Sequence, residues 1–190
     1  MSATIGVCGT AANSGVTHFS IALCNFLHSR FLARTAYLEL NASHAIGALS
    51  AQKDPTTPFK HQGVGYYPEV TLRQLPELMH LRHKYKVLDF GVLTPYTLPE
   101  FKRCDQQIVL TNISCWKTKQ LDLFLQNQKI TIRKDRTECI LFLCWGATKD
   151  NQKQIQRAYG IRVIPVPFLE NPFQVSSKHF QFFEQIWKGD

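Results

Sequence analysis

Apolar positions in this chain cluster into short runs separated by stretches in which they recur at helical spacing. The runs are Ile5–Cys8, Thr35–Asn41, Val64–Tyr67, Tyr85–Gly91, Gln107–Thr111, Cys139–Trp145 and Arg162–Val166. Each has the length and the near-continuous apolar character of a strand buried on both faces. After the first run, Phe19, Ala22, Leu23, Phe26 and Leu27 share one helical face. Further helices are predicted through His80, after Thr97, from about Trp116 to Gln128, over Asp150–Tyr159 and over Lys178–Lys188. Thr71-Leu-Arg-Gln74 and Thr97-Leu-Pro-Glu100 fit capping boxes. Pro76 allows the first of these helices to begin instead at Leu75, with the proline in its first turn.

Strands alternating with helices specify a three-layer α/β fold. Its core is a mostly parallel, doubly wound sheet of about seven strands with helices on both faces. The alternation fills residues 1–190, so a single domain is expected. Residues 42–62 carry Asp54-Pro55 and Thr57-Pro58 and read as an irregular, mobile loop. Ligands on such sheets sit beyond the carboxyl ends of the strands. Thr10–Thr17, Glu39, Asn41, Asp89 and Gly91 all fall there.

Between the first strand and the first helix lies Gly9-Thr-Ala-Ala-Asn-Ser-Gly-Val-Thr17, small and turn-prone. Strand, small-residue loop and helix in that order is the layout of a phosphate-binding loop, where backbone N–H groups and a helix N-terminus face one anion. The match to G-x-x-x-x-G-K-[ST] is partial. Gly15 and Thr17 hold the last glycine and the hydroxyl, but Val16 replaces the lysine and Thr10 the first glycine. The loop has the shape of a P-loop without its charge. Plainer readings stand beside this one: Gly15 as a tight turn, Thr17 as a helix cap, His18 as a solvent-facing residue, Glu39 and Asp89 as carboxylates satisfied by loop N–H groups.

Charge and cysteine content narrow the setting. A net charge of +8 suits an anionic partner, but the cations are scattered along the sequence, so an ordinary basic surface explains them equally. Cys8, Cys24, Cys104, Cys115, Cys139 and Cys144 contain no C-x-x-C pair. This argues for buried thiols in a reducing cytoplasm over a zinc site or disulfide framework. No signal-like amino terminus and no apolar run of membrane-spanning length is present, which supports the cytoplasmic expectation.

Laid out in this order, the chain resembles the MinD/ParA-like P-loop ATPases, a superfamily that includes CpaE/TadZ-type pilus-localisation proteins and bacterial tyrosine-kinase ATPase domains. Gly9–Thr17 is similar to their deviant Walker A loop and Tyr37-Leu-Glu-Leu-Asn41 to the strand that usually ends Asp-x-Asp. Tyr85–Asp89 is similar to Walker B, Cys104–Thr111 to the strand beyond it, and Gly160–Pro165 to a late strand element. The resemblance implies a nucleotide site over Gly9, Thr10, Ala11, Asn13, Ser14, Gly15, Val16, Thr17 and His18, with Mg²⁺ at Thr17 and Asp89. It places Glu39 and Asp89 in the catalytic positions, with Asn41 as companion to Glu39 and an adenine-reading position at Cys144 or Trp145.

The departures shape the functional expectation. The resemblance puts two phosphate-binding lysines where Val16 and Ala11 stand. Phosphoryl transfer is mostly positioning and charge neutralisation, so losing two cations argues against catalysis. A backbone nest needs only N–H groups and can still hold ATP or ADP weakly. The expectation is therefore a non-catalytic or weakly nucleotide-binding scaffold or localisation factor for a bacterial machine, with protein partners and homodimerisation as its means. An atypical ATPase and a non-specific nucleic-acid binder are the alternatives. The terminal segment Lys178–Lys188 gathers Phe180, Phe183 and Trp187 on one face. Docking on the sheet is favoured for it, and peripheral membrane attachment is the alternative.

Overall fold

The computed structural model describes residues 2–50, 53–112, 118–127 and 140–187. The predicted helix start at Trp116, and Cys115, Cys139 and Lys188, lie outside the described residues. The strands are β1 (Ala3–Gly9), β2 (Thr35–Glu39), β3 (Phe59–His61), β4 (Val64–Tyr67), β5 (Tyr85–Val92), β6 (Gln106–Asn112), β7 (Ile140–Trp145) and β8 (Val163–Val166). The helices are α1 (Val16–Phe31), α2 (Leu75–Met79), α3 (Leu98–Arg103), α4 (Thr118–Asn127), α5 (Lys149–Tyr159) and α6 (Phe180–Ile186). One sheet runs β3-β4-β2-β5-β1-β6-β7-β8, and only the β3–β4 pair is antiparallel.

Two apolar layers cover the sheet. On one face α1 and α6 pack against Ile5, Val7, Tyr37, Val87 and Ile108. On the other, Leu75 of α2, Phe101 of α3, Leu121 and Phe124 of α4, and Ile155 of α5 meet Leu38, Leu88, Phe90 and Val109. Helix α1 buries ten consecutive-turn positions because it crosses the middle of the sheet, where both its flanks are covered. Helix α6 docks as favoured: Phe183 is fully buried and stacks on Phe26 at 5.0 Å between ring centroids.

Two local expectations change, and at a third element the alternative start holds. The eighth strand, β3, lies within the stretch read as an irregular loop. It forms a hairpin with β4 through Gln62 (φ 47°) and Gly63 (φ 84°), the left-handed pair of a tight two-residue turn. Helix α2 begins at Leu75, with Pro76 in its first turn. Gln74 Oε1 still accepts from the Thr71 amide and hydroxyl, but this closes a turn ahead of the helix. Before α3, the Thr97 hydroxyl bonds Thr94, while Glu100 pairs with Arg103, so no capping box forms there. At α5 one does form, between Thr148 and Asn151.

Candidate functional site

Parallel register sets the ends of β2, β5, β1 and β6 level. Glu39 lies opposite Asp89, Val7 opposite Asp89 on the other side, and Gly9 opposite Leu110. The β1–α1 loop leaves this edge and turns into α1 at Gly15, whose φ of 77° favours glycine. A Cβ there would sit 2.7 Å from the Trp145 indole nitrogen. That nitrogen donates to the Ser14 carbonyl at 3.0 Å, so the end of β7 closes one side of the loop. Within the loop the Ser14 hydroxyl donates to the Ala11 carbonyl at 2.7 Å, and Asn13 adopts φ 59°. Among the described residues no carbonyl accepts the amides of Val16, Thr17 or His18, as expected for a first helical turn.

Thr10 does not intrude on the loop's interior. Its amide continues the sheet by donating to Leu110, and its hydroxyl turns to Thr111 at 3.3 Å. Val16 is nearly buried, and its methyl group lies against Gly9. His18 bonds the Leu169 carbonyl through Nε2 at 2.8 Å and meets Trp145 edge-on.

Beneath the loop lies a buried hydrogen-bond network around Asp89, which is wholly inaccessible to solvent. Asp89 Oδ2 accepts from the Tyr37 hydroxyl at 2.6 Å and from the Thr17 hydroxyl at 2.7 Å. Its Oδ1 accepts from the Gly91 amide at 2.9 Å. Burial pushes the Asp89 carboxyl above the usual aspartate value, and these hydrogen bonds pull back against the rise. The Tyr37 phenol is held well above its ordinary value, first by burial and then by the Asp89 charge.

Glu39 has a different environment. It is also fully buried, but its carboxylate is spread over two loop segments. Oε1 accepts from the Ser43 hydroxyl and the amides of Ala45 and Ile46, and Oε2 accepts from the Glu69 amide. Asn41 closes a local turn on the Ser43 amide and donates to the Asp89 carbonyl. Above them His44 and Glu69, both with left-handed φ, meet with His44 Nδ1 2.8 Å from the Glu69 carboxylate.

A cleft of about 960 Å³ opens over these elements. Ala11–His18 line one end, Leu40–His44 and Glu69–Thr71 a second wall, and Phe90–Val92 with Thr94 and Thr97 the floor. Among the described residues the lining contains no lysine and no arginine. Of the residues singled out in the sequence, Ala11–His18, Asn41 and Gly91 reach the cleft. Asp89 lies under it, joined through Thr17, and Glu39 supports its wall from below. Sequence reasoning missed Tyr37 and the closing role of Trp145. Tyr37 sits in an apolar strand without any polar pattern to mark it, whereas Trp145, the last residue of its strand, at least ends at the functional edge.

Comparison with known proteins agrees with this geometry at the level of fold. No protein-family model and no curated protein matches the sequence. A ParA family ATPase from Chlorobium tepidum TLS superposes with a TM-score of 0.66 at 13% identity, over 89% of this chain and 85% of its own. The septum site-determining protein MinD of Pyrococcus horikoshii OT3, solved with Mg-ADP, gives 0.55 at 14% identity, over 87% and 82%. Cobyrinic acid a,c-diamide synthase from Mycobacterium smegmatis, with an ATP analog and magnesium, gives 0.66 at 12% identity, over 97% and 93%. The fold is that of the MinD/ParA-like P-loop ATPases. Within this fold, the β1–α1 loop of this chain carries no lysine or arginine, and the carboxylates Glu39 and Asp89 at the ends of β2 and β5 are buried. Among the described residues no helix is long and apolar enough to cross a membrane.

Proposed function

We propose that this chain is a degenerate MinD/ParA-like P-loop protein. It serves as a non-catalytic or weakly nucleotide-binding scaffold or localisation factor for a bacterial cell-surface or partitioning machine, within the cytoplasm. The observation that carries this reading is the cleft: a loop with free amides at a helix N-terminus and, among the described residues, no lysine or arginine in its lining. A helix N-terminus carries about half a unit of positive charge, against the several negative charges of a nucleotide polyphosphate. Binding by such a loop is weak, and no lysine or arginine among the described lining residues meets the charge that develops in a phosphoryl transfer.

The fit to a nucleotide is thus partial. The amides of Val16, Thr17 and His18 suit a phosphate oxygen, and the loop from Gly9 to His18 is the proposed contact. Thr17 and Asp89 would take the Mg²⁺ side, since the Thr17 hydroxyl is the one polar side-chain group joining the loop to the buried carboxylate. ATP or ADP with Mg²⁺ would supply only a bound shape to be read by a partner protein or a second copy of the chain.

The surviving Thr17–Asp89 bond favours a second reading, an atypical ATPase of the MinD/ParA type. Glu39 would then have to release its loop contacts to act as a catalytic acid or base. Steady-state hydrolysis assays on the purified protein separate the two. The scaffold reading expects negligible turnover; a rate above about one per minute, already slow for an enzyme, that disappears in Asp89→Ala would establish the ATPase.

A further inference from the structure

The end of the sheet opposite the cleft presents a surface with two features that have no role in the site. There α1 runs out through Phe31 into Leu32, and β2 and β5 begin. Leu32 is 88% exposed and adopts φ 48°, ψ 32°, the left-handed conformation in which helices usually end on glycine. A branched apolar side chain is therefore held out in water by a backbone shape it disfavours. Phe31 beside it is exposed along one edge and packs its ring 5.8 Å from that of Tyr85.

Cations surround this tip. Arg30, Arg34, Arg82 and Lys84 are exposed, and the Lys84 amide donates to the Arg34 carbonyl at 2.8 Å, which holds the two side chains on adjoining strand starts. Residues 28–34 and 80–86 contain no aspartate or glutamate. Among the described residues, Glu184 pairs with Arg30, and Asp105 is bound to the Thr4 amide and hydroxyl. Lys86 is buried under Ser2 and the His83 carbonyl and stays out of the surface. Four exposed cations from two chain segments thus gather at one corner of the fold.

We propose that this corner docks reversibly on an anionic lipid surface, with Phe31 and Leu32 entering the headgroup layer and Arg30, Arg34, Arg82 and Lys84 facing the lipid charge. An exposed apolar tip ringed by cations fits a bilayer interface, where both features are used at once. A nucleic-acid backbone would use the cations and leave Leu32 in water. The terminal helix, the other amphipathic candidate, has already buried Phe183 and Ile186 in the core. Docking at this end leaves the cleft facing away from the membrane and open to a partner, and it requires no occupant there.

The test is flotation of the full chain with phosphatidylcholine vesicles, with and without about a third phosphatidylserine. Binding is expected only with the anionic lipid. Leu32→Gly suits the left-handed backbone, so its unfolding midpoint should equal or exceed that of the parent. Its vesicle affinity should nevertheless fall about tenfold. Arg34→Gln with Lys84→Gln should cost about fivefold per cation. Absence of binding to anionic vesicles, or unchanged binding by Leu32→Gly, overturns the proposal. So does tight binding to a short DNA duplex that the double variant loses and Leu32→Gly keeps, because the surface would then read nucleic acid.

Discussion

Removing the carboxylate at the centre of the buried network, by Asp89→Ala and by Asp89→Asn, tests how the site is held together. The alanine variant leaves three donors without their acceptor: the Tyr37 hydroxyl, the Thr17 hydroxyl and the Gly91 amide. Tyr37 is fully buried, so its orphaned hydroxyl costs about 1–3 kcal/mol. Thr17 and Gly91 border the cleft and can turn to water, which limits each to about 0.5–1.5 kcal/mol. Relief of charge burial offsets part of the sum, leaving a loss of about 1–5 kcal/mol. Asparagine keeps the volume and an acceptor for Gly91 but puts an NH2 where Tyr37 and Thr17 donate, and should cost less than alanine, about 1–3 kcal/mol.

The pH dependence gives the sharper check. Burial raises the folded-state pKa of Asp89 above its ordinary value of 3.8. The folded state therefore binds this proton more tightly than the unfolded state does. The stability contributed by protonation is fully present below the unfolded pKa and is lost as pH rises through the folded pKa. Asparagine has no such dependence, and the other carboxyls are common to both proteins. Urea denaturation of parent and Asp89→Asn between about pH 4 and pH 7 should show the parent's advantage shrinking as pH rises. An advantage that grows over that interval would mean the hydrogen bonds outweigh burial and would refute the reasoning.

Other measurements probe the loop and its walls. Gly15→Ala forces a Cβ to 2.7 Å from the Trp145 indole at a left-handed φ, and should lower stability by about 1–3 kcal/mol in calorimetry. Val16→Lys should strengthen ATP binding by roughly 1–3 kcal/mol in titration calorimetry, the scale of a hydrogen bond to a charged group; no gain would leave the loop a structural element only. Because Thr10 turns toward Thr111, adding Thr10→Gly should change that affinity little. Glu39→Gln should raise hydrogen exchange at the Ala45, Ile46 and Glu69 amides, which bond its carboxylate, while α1 stays protected. Equal exchange in the parent and the variant would show that the carboxylate does not hold this wall.

Fold class was legible in the residues because strand and helix carry different apolar periods, and seven continuous apolar runs alternating with helices admit few arrangements. The loop was legible for a similar local reason: Gly15 and its small neighbours can turn where larger residues cannot. The hairpin of β3 and β4 escaped because β3 is three residues long with only Phe59 apolar; its turn rests on Gln62, which carries no left-handed preference in sequence. The resemblance paired Asp89 with Thr17, but the surroundings that separate the two carboxylates were beyond the sequence. Glu39 and Asp89 lie at matching strand ends, yet one faces loop amides and the other faces Tyr37 and Thr17, a choice made by how the 43–46 and 69 segments fold back over β2. Trp145 reaches Ser14 across 131 positions, and Arg34 meets Lys84 across adjacent strands. Contacts of that kind depend on strand order, which periodicity along a chain cannot encode; only the packed sheet decides them.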